Sequence, residues 1–428
     1  MALFLYNVLL TLFSPLLLLF LLYRRAIGKE DADHWDERWG KYPEFVTQEH
    51  RSPRFWVHAV SVGELMAAVP VLRELRRRYP DSPILISTTT IGGREVSLKQ
   101  VPPADTVVYY PLDFRFVVRR AVASVRPDIV VLMEWEIWPN FLSEVEQAGA
   151  KIMVVNGRIS DRGLRRGLKG RFFVQPGLDL VDYFGMQSAE DARRAALVGA
   201  SPEKVGNLGN TKFDESVTRL TDSECAALRE DLHIPEGAPV WVCGSTRPGE
   251  EEIIAEAVRL ARQSFPKLVL IVAPRHLERA DEAAAPFGAD MVRRSAQRQG
   301  NTTTSGTLLL DTFGELGRVY AVADVAFIGG SLKPFGGQSV FQPLAQGVPA
   351  LFGPYMNNQR DIAALSLAEG VGFTVKDADS LAAAVIRMLS LTPEQKQALS
   401  DTARGLIDRN QGVAARCVDK VAELLDNR

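Results

Sequence analysis

Short apolar runs rich in β-branched residues alternate along this chain with segments of helical period, and that alternation leaves few folds open. RFWVHAV (54–60), PILIST (83–88), DTVVYYP (105–111), DIVVLME (128–134) and KIMVVNG (151–157) each lead into a polar or glycine turn. Runs this short and this apolar are strands buried on both faces. After the first of them, Leu65, Val69, Leu72 and Leu75 recur at helical spacing, and Pro70 inside that pattern predicts a kink or a late start. Strands alternating with helices imply a parallel, doubly wound α/β sheet. A second set repeats the pattern: VWVCGST (240–246), KLVLIVAP (267–274), GTLLLDT (306–312), DVAFIGG (324–330) and VPALFGP (348–354). Two Rossmann-like domains facing a central cleft are therefore expected, and 428 residues suit two cores better than one. The expected spans are a membrane anchor at 1–23, domains at 30–210 and 211–395, and a helical tail at 396–428. The acidic 212–239 stretch reads as the connection between domains, and SAQRQGNTTTSG (295–306) as a polar loop.

Leu3 to Tyr23 carries no charge. Roughly 20 such residues at about 1.5 Å each match the hydrocarbon thickness of a bilayer. A signal peptide is a poorer reading, because no Lys or Arg precedes the run and Arg24-Arg25 stands where a small-residue cleavage site belongs. Arg24, Arg25 and Lys29 place the remaining chain in the cytoplasm. Ser14-Pro15 interrupts the run and leaves a half-inserted, monotopic helix open. A net charge of −2 gives no field that would recruit nucleic acid. Cys225, Cys243 and Cys417 have no metal-ligand spacing, so neither a zinc site nor a disulfide framework is expected.

Candidate chemistry gathers at strand ends. Ser61-Val62-Gly63-Glu64 follows the first strand and opens a helix, where the dipole favours an ionised carboxylate suited to general-base work. The plain alternative is an ordinary first-turn glutamate. Glu134-Trp135-Glu136-Ile137-Trp138-Pro139-Asn140 puts two carboxylates between two indoles, a composition that suits sugars and hydroxyl groups, or else a packed turn with solvated acids. RISDRGLRRGLKGR (158–171) carries six Lys/Arg against one Asp. It reads as a basic loop that meets anionic headgroups or a phosphorylated lipid, or as a solvated surface. In the second half, Gly244-Ser245-Thr246-Arg247, Pro274-Arg275-His276, Gly329-Gly330-Ser331 and Gly336-Gly337-Gln338-Ser339 lie at successive strand ends. Small residues there expose backbone N–H groups to an anion, so a phosphorylated donor is expected in this half, although α/β folds use glycine in turns in any case.

Taken together, HAVSVGE (58–64), STTTIGGRE (87–95), YYPLDF (109–114), EWEIWPN (134–140), NGRIS (156–160), GNTKFD (209–214), GSTRPGEEE (244–252), APRHLER (273–279) and GGSLKPFGGQS (329–339) resemble the Kdo transferases of lipopolysaccharide synthesis nearly end to end. The resemblance implies an inverting transferase of GT-B fold with no metal or other cofactor, a CMP-Kdo donor and a lipid A precursor as acceptor, at the inner membrane. It implies Glu64 as the base and Glu136, with Glu134 as the alternative, beside the reacting centre. Arg94 and Lys212 match basic cleft positions, and Arg275 a donor-binding arginine. Two positions depart from the family pattern. Ser339 stands where Asn is common, and Gln342 where a ribose-binding Glu is expected; the amide oxygen still accepts a hydrogen bond but has lost the charge. The rival readings are a GT-B enzyme using a UDP-sugar and a catalytically inactive, membrane-anchored binding protein.

Overall fold

The computed structural model describes residues 1–428 apart from 29, 32, 44–52, 101–103, 215–218, 289–290, 301–305 and 428, so Lys29 and the middle of the 295–306 stretch lie outside the described residues. The chain forms two compact units, Met1–Glu215 with Asn410–Arg428, and Ser216–Arg409.

The first unit is built on seven parallel strands: β1 (Phe55–His58), β2 (Ile84–Thr88), β3 (Thr106–Tyr109), β4 (Ile129–Met133), β5 (Lys151–Gly157), β6 (Tyr183–Met186) and β7 (Val205–Asn207), in the order β3-β2-β1-β4-β5-β6-β7. Alternate residues serve opposite faces. Trp56, Val130, Leu132 and Val154 enter one core, while Phe55, Val57, Val131 and Val155 enter the other. The Val62–Arg78 helix starts at its Ser61 cap and runs through Pro70, and Leu65, Val69, Leu72 and Leu75 are all buried beneath it. The carboxyl-terminal stretch divides. Pro393–Asn410 falls almost wholly in the second unit, whereas Val413–Asp426 returns to the first and sets Cys417, Val418 and Val421 into the core beside Leu65 and Leu72.

The second unit repeats the plan with β8 (Val240–Thr246), β9 (Val269–Pro274), β10 (Met291–Arg293), β11 (Thr307–Leu309), β12 (Val325–Ile328), β13 (Ala350–Phe352) and β14 (Gly372–Thr374), in the order β10-β11-β9-β8-β12-β13-β14. β6 and the margin strands β7, β10 and β14 have no counterpart among the apolar runs read from sequence, because strands of three or four residues carry little periodic signal.

The basic 158–171 stretch is not a loop. Asp161–Asp179 is a helix, capped by Ser160, whose hydroxyl accepts from the Gly163 amide at 3.1 Å. Charge content suggested a loop, but the helix packs closely at Gly167, where a Cβ would meet the Val198 side chain at 2.8 Å. Ala2–Ala26 is one continuous helix through Pro15, long and apolar enough to cross a membrane by length and composition.

Candidate active site

At the centre of each sheet the strand order reverses, between β1 and β4 in the first unit and between β8 and β12 in the second. Connections leave these neighbours in opposite directions, so a crevice opens at their carboxyl ends. Ser61, Glu64, Glu134 and Glu136 follow β1 and β4, and Ser245, Thr246, Gly330 and Ser331 lie at the ends of β8 and β12.

Leaving β1, the chain turns at Ser61. Its hydroxyl accepts from the Glu64 amide at 3.4 Å, and the Glu64 carboxylate reaches back, Oε2 accepting from the Val60 amide at 2.7 Å and Oε1 from the Ser61 hydroxyl at 3.3 Å. The glutamate is therefore held at both ends, its amide by the Ser61 cap and its carboxylate by the Val60 N–H just before that cap. Gly63 is exposed, and a Cβ there would find nothing nearer than the Ser61 hydroxyl at 3.8 Å.

Leaving β4, the chain passes through Glu134 in the left-handed region at φ 60°, a conformation costing a non-glycine residue about 1–3 kcal/mol. The Glu134 amide donates to the Val155 carbonyl at 2.9 Å, which fixes the turn against β5. Glu136 Oε2 accepts from the Trp138 indole at 2.8 Å. The two indoles part company: Trp135 stacks on Phe184 and packs against the core, while Trp138 is exposed. Pro139 then opens the Pro139–Gln147 helix, capped from outside by Asp113, which accepts from the Phe141 amide at 2.8 Å and the Asn140 amide at 3.2 Å.

Glu64, Glu134 and Glu136 stand near enough for their charges to act on one another. Burial, helped by the charges of Glu134 and Glu136 and opposed by the Val60 N–H, pushes Glu64 up to about 7. The helix dipole expected to keep it ionised is outweighed by loss of water and by two neighbouring acids. Burial also raises Glu134, opposed by Lys212 and then Arg158, and raises Glu136, opposed by the Trp138 indole. Beneath them, His58 is fully buried and stacked on Tyr110 with ring centroids 3.9 Å apart; burial lowers it to about 3, so it stays neutral. Its Nδ1 meets the Ser87 carbonyl at 3.1 Å. Arg94 lies apart from this group. Its side chain is 12% exposed and its guanidinium donates to Glu37 at 2.8 Å, so it braces the buried Glu37 carboxylate, which also accepts from the Tyr109 amide at 2.7 Å.

In the second unit, Ser245, one residue before the end of β8, lies in the left-handed region at φ 57°, and Gly329 packs so closely that a Cβ there would run into the Ser245 carbonyl. Sequence reasoning passed over Glu250. Fully buried, it accepts four amide hydrogens, from Arg247 (2.9 Å), Gly330 (2.6 Å), Ser331 (2.9 Å) and Leu332 (2.9 Å). The Gly330 and Ser331 amides, expected to meet a phosphate, are taken up inside the protein. The Ser331 hydroxyl is buried as well, donating to the Ile328 carbonyl and accepting from Gly353 at 2.8 Å, and the Gly337 amide donates to the Gly330 carbonyl at 2.8 Å. The Thr246 hydroxyl is buried against Glu251 at 2.8 Å. What the second crevice presents are side chains: the exposed Arg275, and His276, whose Nε2 lies 2.8 Å from Arg247. An arginine can only donate, so His276 accepts there and carries its proton on Nδ1. Ser339 and Gln342 are half-buried at the start of the Phe341–Gln346 helix. Arg247 and Glu250 both stand in GSTRPGEEE, and an acid so near a glycine turn was the available signal.

Residues 33–215 match the family model for the 3-deoxy-D-manno-octulosonic-acid transferases (kdotransferases). The chain is 30% identical over 433 residues to a 3-deoxy-D-manno-octulosonic acid transferase of Haemophilus influenzae, covering 99% of each protein. It is 33% identical over 386 residues to the one from Bordetella pertussis, covering 86% of this chain and 87% of that protein. It is 32% identical over 378 residues to a bifunctional glycosyltransferase/methyltransferase of Fusobacterium nucleatum, covering 87% of this chain but only 57% of that longer protein. Among solved structures, a glycosyltransferase from Rickettsia africae superposes with a TM-score of 0.59 at 11% identity, covering 88% of this chain and 99% of that one. A UDP-GlcNAc 2-epimerase from Neisseria meningitidis gives 0.57 at 12%, covering 86% and 100%. Likeness at such identity is one of fold alone.

Proposed function

The chain belongs to the family of 3-deoxy-D-manno-octulosonic acid (Kdo) transferases, which are glycosyltransferases, and from that premise we propose that it moves Kdo from CMP-Kdo to a lipid A precursor with inversion at the anomeric carbon. The observation that carries this reading is the meeting of Glu64, Glu134 and Glu136 at the β1/β4 switch point, with Glu64 held near neutrality. A base for an acceptor hydroxyl works best with a pKa close to the working pH. In the proposed step the acceptor oxygen bonds to the Kdo anomeric carbon as the bond from that carbon to the phosphate oxygen breaks. Glu64 takes the hydroxyl proton, and CMP leaves with the electron pair. Glu136, oriented by Trp138, faces the charge that develops on the sugar, and Glu134 with Lys212 binds acceptor polar groups. The second unit holds the donor through Arg275, His276 and the Ser339–Gln342 turn. Guanidinium groups suit its carboxylate and phosphodiester. Arg94 has a bracing part in this scheme and no ligand contact.

Membrane association follows from the same reading. The Ala2–Ala26 helix holds the protein at the cytoplasmic face of the inner membrane, and the basic face of Asp161–Asp179, with Arg162, Arg165, Arg166, Lys169 and Arg171 exposed, meets acidic headgroups and the acceptor phosphates. Transfer of radiolabelled Kdo to a tetra-acyl lipid A precursor, resolved by product size, tests the whole proposal. Product with CMP-Kdo and none with UDP-sugars is expected. Stabilisation by UDP in place of CMP, or no product from CMP-Kdo, refutes it.

A further inference from the structure

The amino-terminal helix does not stand clear of its domain. Leu3, Asn7, Leu10, Ser14, Leu17, Leu21 and Arg24 are partly covered, at alternating spacings of four and three residues along a single stripe. That spacing is one face of a helix packed along its whole length. The opposite face is bare hydrocarbon: Phe4 is 73% exposed, Leu12 67% and Leu19 64%.

Polar contacts pin both ends to the same unit. Near the start, the Tyr6 hydroxyl donates to Asp113 Oδ2 at 2.8 Å. Beside it the Asn7 and Asn140 amides pair reciprocally, each donating to the other's oxygen at 2.9 Å. At the far end Arg24 pairs with the buried Glu30 at 2.9 Å, and Arg25 lies over the Trp35 ring at 5.4 Å. Tyr6 and Arg24 are 18 residues apart, about 27 Å along a helix axis and close to the thickness of bilayer hydrocarbon. Were the axis to cross the membrane, Asp113, Asn140 and the helix it packs on, Asp161–Asp179, with Arg165, Arg166 and Lys169, would all be carried into the hydrocarbon. Backbone and charged groups are not tolerated there without partners.

Resting on the membrane reading above, we propose that Ala2–Ala26 does not span the bilayer but lies in the plane of a single anionic leaflet, seated on its own domain through Tyr6 and Asn7. Its Phe4–Leu19 face enters the acyl region. The exposed Leu168, Phe172 and Phe173 and the neighbouring arginines complete the same surface, which supplies the charge complementarity for acidic lipids. The pins also tie the helix to the Glu136 turn, since Asp113 and Asn140 form the start of the helix that follows it.

The test is topological and uses the full chain in native membranes. Cys225→Ser removes the half-buried thiol, leaving the buried Cys243 and Cys417. One cysteine is placed ahead of Met1, and in a second protein Asp36→Cys reports the side on which the body lies. A membrane-impermeant maleimide should label both equally in intact inverted vesicles. A leader cysteine labelled only after permeabilisation, beside an accessible position 36, overturns the in-plane arrangement and leaves the enzymatic reading intact. Recovery of the chain in the soluble fraction overturns the membrane reading itself. Tyr6→Phe combined with Asn7→Leu should shift the leader cysteine toward protection; labelling unchanged by loss of the pins shows that they do not set the topology.

Discussion

Glu64→Gln separates two consequences of the same environment, and they have opposite signs. The isostere keeps one oxygen to accept from Val60 at the cap and replaces the other with an NH2 group that can donate to Ser61, so the turn is preserved. It cannot take a proton from the acceptor. General-base catalysis contributes about 10²–10⁴ in rate, so kcat should fall by that factor, equivalent to about 3–5 kcal/mol of barrier, with CMP binding unchanged. Stability should move the other way. A carboxyl raised from 4.5 to about 7 in the folded state is favoured there in its protonated form. Its contribution is fully present below about pH 4.5 and is lost as pH rises through 7. The full shift corresponds to about 3 kcal/mol, reduced by partial solvent access to about 1–3 kcal/mol. The variant should therefore match wild type near pH 4.5 and exceed it at pH 8, as read by urea denaturation at both pH values. The wild-type rate should show an acidic limb near 7 belonging to the carboxylate group as a whole, and the variant should lose it. Turnover within a few-fold of wild type at saturating substrate refutes the base. Equal stability at pH 8 refutes the burial argument.

Arg94→Ala leaves Glu37 buried without its cation and should cost about 3–5 kcal/mol in urea denaturation, with donor and acceptor KM within two-fold in the folded protein; a large rise in either KM makes Arg94 a ligand contact after all. Glu250→Gln turns an NH2 group toward backbone amides that need an acceptor, and the second unit should lose about 3 kcal/mol, measured on its own thermal transition; an unchanged transition means the loop does not depend on that carboxylate. Gln342→Glu restores a charged acceptor and should tighten CMP-Kdo by about 1 kcal/mol, roughly five-fold, in calorimetry; weaker binding shows a donor pocket reorganised around Ser339 and Gln342. Neutralising Arg165, Arg166 and Lys169 together should weaken binding to anionic vesicles and raise the acceptor KM while leaving the donor KM unchanged, since each cation is worth about 1 kcal/mol near such a surface; vesicle binding at the parent level makes that face a solvated one.

Much of this architecture was legible before any coordinates, because a strand buried on both faces must be apolar throughout and the central strands are. β1, β4, β5, β8 and β9 all fall within the runs read from sequence. Of the margin strands only β3 was legible; β7, β10 and β14 are three residues each and owe their existence to a neighbour already in place. Within the crevices, residue type located the turns but not the direction of the groups in them. Gly329-Gly330-Ser331 marked a turn with amides free for an anion, yet the Gly330 and Ser331 amides turn inward to Glu250, some 80 positions away, which no local pattern pairs with them. Arg94 is a motif cation whose guanidinium pairs with the buried Glu37, a partner 57 positions away that no local pattern reveals.

The capping and catalytic readings of Glu64, which compete on sequence alone, are compatible in the structure. An ionised carboxylate offers about four lone pairs. The short bond from Val60, at 2.7 Å, fixes Oε2, while Oε1 holds only the longer contact from Ser61 at 3.3 Å and keeps the capacity to accept again. The cap thus removes rotational freedom from the proposed base and leaves one oxygen able to take up a proton. Without the cap, repulsion from Glu134 and Glu136 would turn the side chain toward solvent, and its pKa would relax toward that of an ordinary glutamate. Orientation by the cap and elevation by burial are therefore two effects of one placement, at the start of a helix that begins where β1 meets the switch point.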